Sequence, residues 1–190
     1  MNIGIDIDGV LQDTERCFDA YACIFDYDNN GKGIVHPEGY RATQKYDWTE
    51  EEFDLFVQKY MFEIMENAPI MAGAEDIVKR LKNDGHNLYI ITARGCIYDK
   101  EKEIANRFLA KFGVDFDGFY YESRDKLPPC NNLKIDYMID DSPYNIKHLS
   151  ENGIKCLYFR GSCVEDIVND NVIDVYNWGE VYKFLNRHHN

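Results

Sequence analysis

Two aspartates follow a short apolar segment near the start of the chain, in the run IGIDIDGV. The β-branched residues around Asp6 are typical of a buried strand, and a buried carboxylate costs several kcal/mol unless a cation or water compensates it. An aspartate at a strand end can act as a nucleophile, and a carboxylate two residues later can protonate a leaving group. The spacing therefore predicts Asp6 as nucleophile and Asp8 as general acid.

Three later apolar segments also lead into polar side chains that could take part in chemistry. If the strands are parallel, their carboxyl ends meet at one edge of the sheet, where ligands bind in open α/β folds. Carboxylates at close range need a counter-charge, and oxygen ligands of this kind suit Mg²⁺. A lysine and a hydroxyl beside the metal would then bind a phosphate group. The residues concerned are Thr92, Ala93 and Arg94 after HNLYII, Arg124 and Lys126 after FYYES, and Asp140 and Asp141 after IDYMI.

The reaction that fits this combination is hydrolysis of an alkyl phosphomonoester. An alkoxide is a poor leaving group, and general acid catalysis of its departure is worth roughly 10²–10⁴-fold. The second carboxylate, Asp8, supplies that acid. Lys134 is an alternative to Lys126 for binding phosphate, but it precedes its strand and therefore falls near the opposite edge of the sheet.

The elements that must position these residues alternate between short apolar strands and amphipathic helices. This alternation predicts an α/β fold, with a Rossmann-like parallel sheet and helices on both of its faces. Residues 15–73 interrupt the alternation with helices alone, which predicts a small helical cap inserted after the first strand. The core would then comprise residues 1–14 and 74–190. Thr49 and Glu52 have the spacing of a capping box, and a Pro-Pro loop is expected after Lys126.

Four short motifs in this order carry a resemblance to a known family. DIDGV, IITAR, the lysine of SRDK and IDDSP resemble the four motifs of the haloacid dehalogenase superfamily of phosphatases. The run DIDGVLQD, the helical insertion after it, SRDK and DDSP are similar to the 5′(3′)-deoxyribonucleotidase family. The resemblance implies a Mg²⁺-dependent enzyme that forms an aspartyl-phosphate intermediate on Asp6, with Asp8 as the acid and later as the base for water.

The same resemblance implies a role for each of the other positions. The Mg²⁺ ligands would be Asp6, Asp140 and the backbone carbonyl of Asp8, with Asp141 acting through metal-bound water. Thr92 and Lys126 would bind the phosphate, and Arg124 would contact the substrate. Ala93 stands where related nucleotidases can have a serine, so it would offer only its backbone amide.

The substrate predicted from these features is a small phosphorylated molecule, and we expect a nucleoside monophosphate. Tyr46 and Trp48 precede a cap helix and lie off its apolar stripe, so they are candidates to stack on a base, with Arg94 as a further candidate substrate contact. A sugar phosphate or another metabolite is the alternative with the same chemistry. A non-catalytic phospho-acceptor or phosphate-binding module is the alternative of another class, which Asp8 and the cap disfavour.

Composition narrows the possible partners and cofactors. The formal net charge of −13 argues against nucleic acid and anionic membranes, because both require a basic surface. The six cysteines include no CxxC pair, which argues against a structural zinc site. No apolar run approaches the ~20 residues that span a membrane, so we expect a cytoplasmic protein. The oligomeric state is left open.

Overall fold

The computed structural model describes residues 1–39, 42–161 and 165–187, and these residues form an α/β fold around one parallel sheet. In the order of the sheet, the strands are β3-β2-β1-β4-β5-β6, so the first strand lies in the middle. The strands are β1 Asn2–Ile5, β2 Asn87–Ile91, β3 Gly118–Tyr120, β4 Tyr137–Asp140, β5 Cys156–Phe159 and β6 Val172–Val175. The predicted Rossmann-like parallel sheet is confirmed.

Helices connect the strands and cover both faces of the sheet. One face packs against α4, α5 and α8, and the other packs against α6 and α7. Within the described ranges, no helix is long and apolar enough to cross a membrane. The helices are α1 Thr14–Asp28, α2 Ala42–Lys45, α3 Glu50–Asn67, α4 Ala74–Asn83, α5 Lys100–Leu109, α6 Leu127–Asn132, α7 Pro143–Glu151 and α8 Trp178–Arg187.

Successive side chains along each strand point to opposite faces of the sheet, because the strand is pleated. In β4, Tyr137 and Ile139 belong to the larger cluster, with Trp178 of α8, whereas Met138 belongs to the smaller cluster on the other face. Asp140 follows Met138 by two residues and is fully buried, so this strand delivers a carboxylate into the protein interior at its carboxyl end.

Helices α1 and α3 pack on each other around an aromatic cluster of their own. Phe25 and Phe56 lie at its centre, with ring centroids 5.6 Å apart. The predicted capping box is present, because Thr49 Oγ1 accepts from the backbone of Glu52 and the Glu52 carboxylate accepts from the backbone of Thr49. That residues 15–73 act as a separate cap domain stays a prediction.

Two elements differ from the sequence prediction. The segment expected to be a Pro-Pro loop is helix α6, whose prolines fall in its first turn, where a proline needs no backbone donor. Strand β6 was not predicted, because VIDV carries an aspartate and is only partly buried as the last strand at one edge of the sheet.

Candidate active site

The candidate catalytic residues lie at the carboxyl ends of four neighbouring strands, β3, β2, β1 and β4. Parallel pairing aligns Ile5 of β1 with Ile90 of β2 and with Ile139 of β4. Asp6 comes directly after this register, and its backbone N–H donates to the carbonyl of Ile139 at 3.0 Å. Asp140 is the next residue of β4, so pairing alone brings the two carboxylates side by side.

Three carboxylates form a buried cluster at this edge. Oxygens of Asp6, Asp140 and Asp141 lie within 4.8 Å of one another. All three residues are at most 8 % exposed. Gly9, with φ +71°, lets the chain pass next to this cluster: a Cβ at Gly9 would lie 2.1 Å from Asp141 Oδ2. A side chain at position 9 would therefore displace the third carboxylate.

Lys126 lies between two of these carboxylates. Its Nζ is 2.9 Å from Asp6 Oδ2 and 2.6 Å from Asp140 Oδ2, and its side chain is only 1 % exposed. Burial opposes the charged form of this lysine, but Asp140 and Asp6 more than offset it, so the pKa of Lys126 lies above its usual value. The lysine is therefore held as a buried cation in contact with the nucleophile candidate.

Lys126 compensates the negative charge of the buried Asp6 carboxylate only in part. The pKa of Asp6 is raised to about 6, mainly by burial; Lys126 lowers it, and the nearby Asp140 and Asp8 also raise it. The Oδ1 atom of Asp6 is buried and has no hydrogen-bond partner among the described residues. A further positive group near this oxygen would relieve both the repulsion and the missing partner.

The donor set fits the Mg²⁺ that the family resemblance implies. The cluster offers carboxylate oxygens, which are the ligands that Mg²⁺ prefers, and it contains no histidine or cysteine ligand that would favour zinc. The uncompensated Asp6 oxygen also indicates a site built for a cation. The side chains of Asp6, Asp140 and Asp141 would hold it.

Asn145 is a member of the site that the sequence analysis missed. Its Nδ2 lies 3.1 Å from both oxygens of Asp140, and the backbone N–H of Ser142 donates to Asp140 Oδ1 at 2.9 Å. Ser142 occupies the N-cap position of α7, but its side chain makes no capping bond. The position of Asn145 in the first turn after IDDSP was the available signal, because that turn must face the end of β4.

Asp8 lies next to this cluster but has a different partner. Arg94 Nε lies 3.0 Å from Asp8 Oδ2, and Arg94 Nη2 lies 2.7 Å from Asp8 Oδ1. Burial alone would raise the pKa of Asp8, but the Arg94 guanidinium offsets it, so the pKa of Asp8 lies below its usual value. Arg94 therefore contacts Asp8 inside the protein, whereas the sequence predicted that Arg94 contacts the substrate.

The remaining candidates from β2 and β3 differ in their exposure. Thr92 is buried at the end of β2, and its hydroxyl accepts from the backbone N–H of Arg94 at 3.3 Å. Ala93 follows Thr92 at the same edge and is exposed. Arg124 is also exposed and does not join the buried cluster, although Lys126, two residues later, does.

The aromatic candidates pack within the protein. Tyr46 is only 4 % exposed, and its ring stacks on Trp48 with centroids 4.7 Å apart. Trp48 also donates from Nε1 to Asp26 Oδ1 at 2.8 Å. This corrects the prediction that Tyr46 stacks on a substrate base, because the segment before α3 folds back and buries that ring in the α1–α3 cluster.

The chain is similar in sequence and in fold to known hydrolases. No family model matches the chain. A curated relative, a nucleotidase of Clostridium acetobutylicum, is 27 % identical over 189 residues, which cover 98 % of this chain and 94 % of the relative. A haloacid dehalogenase-like hydrolase of Streptococcus pneumoniae has the same fold, with a TM-score of 0.70 at 15 % identity and 97 % coverage of both chains. A structure described as a predicted phosphatase of Clostridium acetobutylicum matches with a TM-score of 0.65 at 19 % identity, covering 98 % of each chain.

A relative over nearly the whole chain and the shared fold agree with the four motifs at one edge of the sheet. These findings support a phosphatase of the haloacid dehalogenase type. The relatives support hydrolysis of a phosphomonoester as the class of reaction. The identity of the metal, the substrate and the covalent intermediate is inferred below from the residues of the site.

Proposed function

We propose that this phosphatase is a Mg²⁺-dependent nucleotidase that hydrolyses nucleoside monophosphates through a phosphorylated Asp6. The observation that carries the proposal is the contact of buried Lys126 with both Asp6 and Asp140, beside a third carboxylate. The name of the Clostridium relative supports the substrate class. A sugar phosphate is the alternative substrate for the same chemistry.

Lys126 and the β2 end would bind the phosphate group. The ammonium of Lys126 has three N–H donors, and two of them are directed to Asp6 and Asp140, which leaves one for a phosphate oxygen. Thr92 and the backbone amide of Ala93 would supply further donors. Mg²⁺, when bound by Asp6, Asp140 and Asp141, would neutralise the charge that phosphate and carboxylates bring together.

Asp6 and Asp8 would divide the two chemical steps. In the first, the Asp6 carboxylate attacks phosphorus, the ester P–O bond breaks, and Asp8 gives a proton to the leaving oxygen. In the second, water attacks the phosphoryl group on Asp6 and gives its proton to Asp8, while the bond between phosphorus and Asp6 breaks and phosphate is released. The Asp8 side chain is 36 % exposed and that of Asp6 is 11 % exposed, so Asp8 is the carboxylate more accessible to a leaving group and to water.

Helices α1–α3 would act as the cap over this edge of the sheet. Their attachment supports that role, because α3 ends close to the turn that carries Asp8 and hydrogen-bonds to Gln12 of that turn. A cap held there would exclude water while Asp6 attacks. The division into a core of residues 1–14 and 74–190 and a cap of residues 15–73 is part of this proposal.

The experiment that tests the substrate class is phosphate release from a panel of nucleoside 5′- and 3′-monophosphates and sugar phosphates. Each substrate is measured with Mg²⁺ and with EDTA. We expect turnover with Mg²⁺, loss of turnover with EDTA, and kcat/KM values highest for nucleotides. Higher kcat/KM for sugar phosphates would replace the nucleotide assignment, and an absence of turnover on every substrate would contradict the enzyme assignment.

A further inference from the structure

A chain of hydrogen bonds connects the end of α3 to the carboxylate of Asp8. Gln12 is fully buried, and its Nε2 donates to the carbonyls of Met65 at 2.9 Å and Ala68 at 2.8 Å. Its Oε1 accepts from Arg94 Nη2 at 2.7 Å. Arg94 in turn binds Asp8, so one buried amide and one buried guanidinium link the two elements.

The orientation of the Gln12 amide is fixed by its neighbours. Both amide hydrogens are used by carbonyls in the last turn and at the C-cap of α3, a region where helix carbonyls have no partner within the helix. A flipped amide would place an oxygen against two carbonyls and an NH₂ group against a guanidinium. The carbonyl oxygen of Gln12 must therefore face Arg94.

The contact between Arg94 and Asp8 fixes the plane of the carboxylate. Nε and Nη2 of Arg94 contact different oxygens of Asp8, which is the bidentate arrangement that a guanidinium makes with a carboxylate. Each of these contacts uses one lone pair and the Thr14 side chain hydrogen-bonds to the same carboxylate, so of its four lone pairs one is left that can take a proton. The Arg94 side chain is only 1 % exposed, which leaves it little freedom to move.

We propose that Arg94, held by Gln12 on the end of α3, is a positioning residue that orients Asp8 for both proton transfers. The inference rests on the proposed function. Asp8 gives its proton to the leaving oxygen as the ester bond breaks. It recovers a proton from water as the new P–O bond forms and the bond to Asp6 breaks. A carboxylate that rotates freely would perform both transfers more slowly, because proton transfer requires a hydrogen bond of the correct geometry.

The test compares two kinds of leaving group in the full-length protein. The kcat/KM value reports the steps up to transfer of the phosphoryl group, and 4-nitrophenyl phosphate needs little proton donation because its leaving group is a stable anion. For Arg94→Lys and for Gln12→Met, we expect kcat/KM on a nucleoside monophosphate to fall at least about 10-fold. On 4-nitrophenyl phosphate it should change no more than about threefold.

A double variant shows whether Arg94 acts through Asp8. In an Asp8→Asn background, Arg94→Lys should cause no further loss on the nucleotide, because the group that it orients is absent. Arg107→Lys is the matched control: Arg107 binds Glu66 near the same end of α3, at 3.0 Å, and its replacement should leave both substrates unaffected. If Arg94→Lys does not fold, Gln12→Met carries the same expectation.

Two results would overturn the inference alone. Equal losses on both substrates would indicate a structural role or a phosphate contact for Arg94. Losses that add in the double variant would show that Arg94 acts independently of Asp8. Turnover of neither substrate by the wild-type protein would contradict the proposed function itself, and this inference with it.

Discussion

Burial and neighbouring charges both act on Asp6, the proposed nucleophile. Its carboxylate lies against Lys126 and two other carboxylates, and one of its oxygens has no partner among the described residues. In the proposed mechanism these features suit Asp6 to attack phosphorus, and without a bound cation they would cost stability. This conflict between stability and function can be measured.

The metal-free protein should lose stability as the pH rises from about 4 to about 6. The pKa of Asp6 is raised from 3.8 to about 6 in the fold, mainly by burial, so the folded state binds more protons than the unfolded state in this window. The loss should reach at most roughly 3 kcal/mol. Urea unfolding in EDTA at a series of pH values measures it, and Asp6→Asn should remove this part of the slope. Parallel curves for both proteins would contradict the shift.

Gly9→Ala should weaken the metal site as well as the fold. The new Cβ would lie 2.1 Å from Asp141 Oδ2, so that carboxylate must move. We expect a stability loss of about 1–3 kcal/mol and a higher Mg²⁺ concentration for half-maximal activity. Gly113→Ala is the control, because Gly113 also has positive φ but a Cβ there meets nothing within 4 Å. An equal Mg²⁺ requirement in both variants would contradict the role of Gly9.

At the residue scale, the sequence could predict the carboxylates and Lys126 better than their neighbours. Asp6 and Asp140 follow from parallel pairing, which depends only on the apolar strands. The partner of Arg94 depends on how the turn at 9–12 folds and on side-chain conformation, which residue spacing does not specify. The burial of Tyr46 was missed for a similar reason, because the segment before α3 returns to the helix cluster.

At the scale of elements, helix α3 begins at a capping box, and carbonyls at its end accept hydrogen bonds from Gln12. Thr49→Ala should cost about 1 kcal/mol, because it removes the acceptor for the backbone N–H of Glu52. Urea unfolding measures this loss, while kcat/KM should stay unchanged. Glu51→Gln is the control, since Glu51 is exposed in the same turn and outside the box. A similar loss in both variants would assign the effect to helix charge rather than to the cap.

The elements themselves were predictable where hydrophobic periodicity was strong. Strands β1, β2 and β4 are largely buried apolar runs, and the sequence identified each of them. Helix α6 was not predicted because its two prolines suggested a loop, although proline is tolerated in a first turn. Strand β6 was not predicted because it is a partly buried edge strand with an acidic residue.

For the whole molecule, the metal should act as a stabilising ligand. A ligand that binds only the folded state stabilises it by about 2.7 kcal/mol at 100 times its Kd. We therefore expect Mg²⁺ to raise the Tm of the wild-type protein, and Asp140→Asn to remove most of that rise. Asp125→Asn, at an exposed position near the same edge, should keep it. A Tm independent of Mg²⁺ in the wild-type protein would contradict the metal site.

The most direct measurement of the central claim is acid quenching of the enzyme during turnover of a nucleoside monophosphate with Mg²⁺, followed by mass spectrometry of its peptides. We expect a phosphoryl group on the peptide that contains Asp6. We also expect that the Asp6→Asn variant, folded as judged by circular dichroism, carries no phosphoryl group and releases no phosphate. Phosphate release by Asp6→Asn at the wild-type rate would contradict the assignment of Asp6 as the nucleophile.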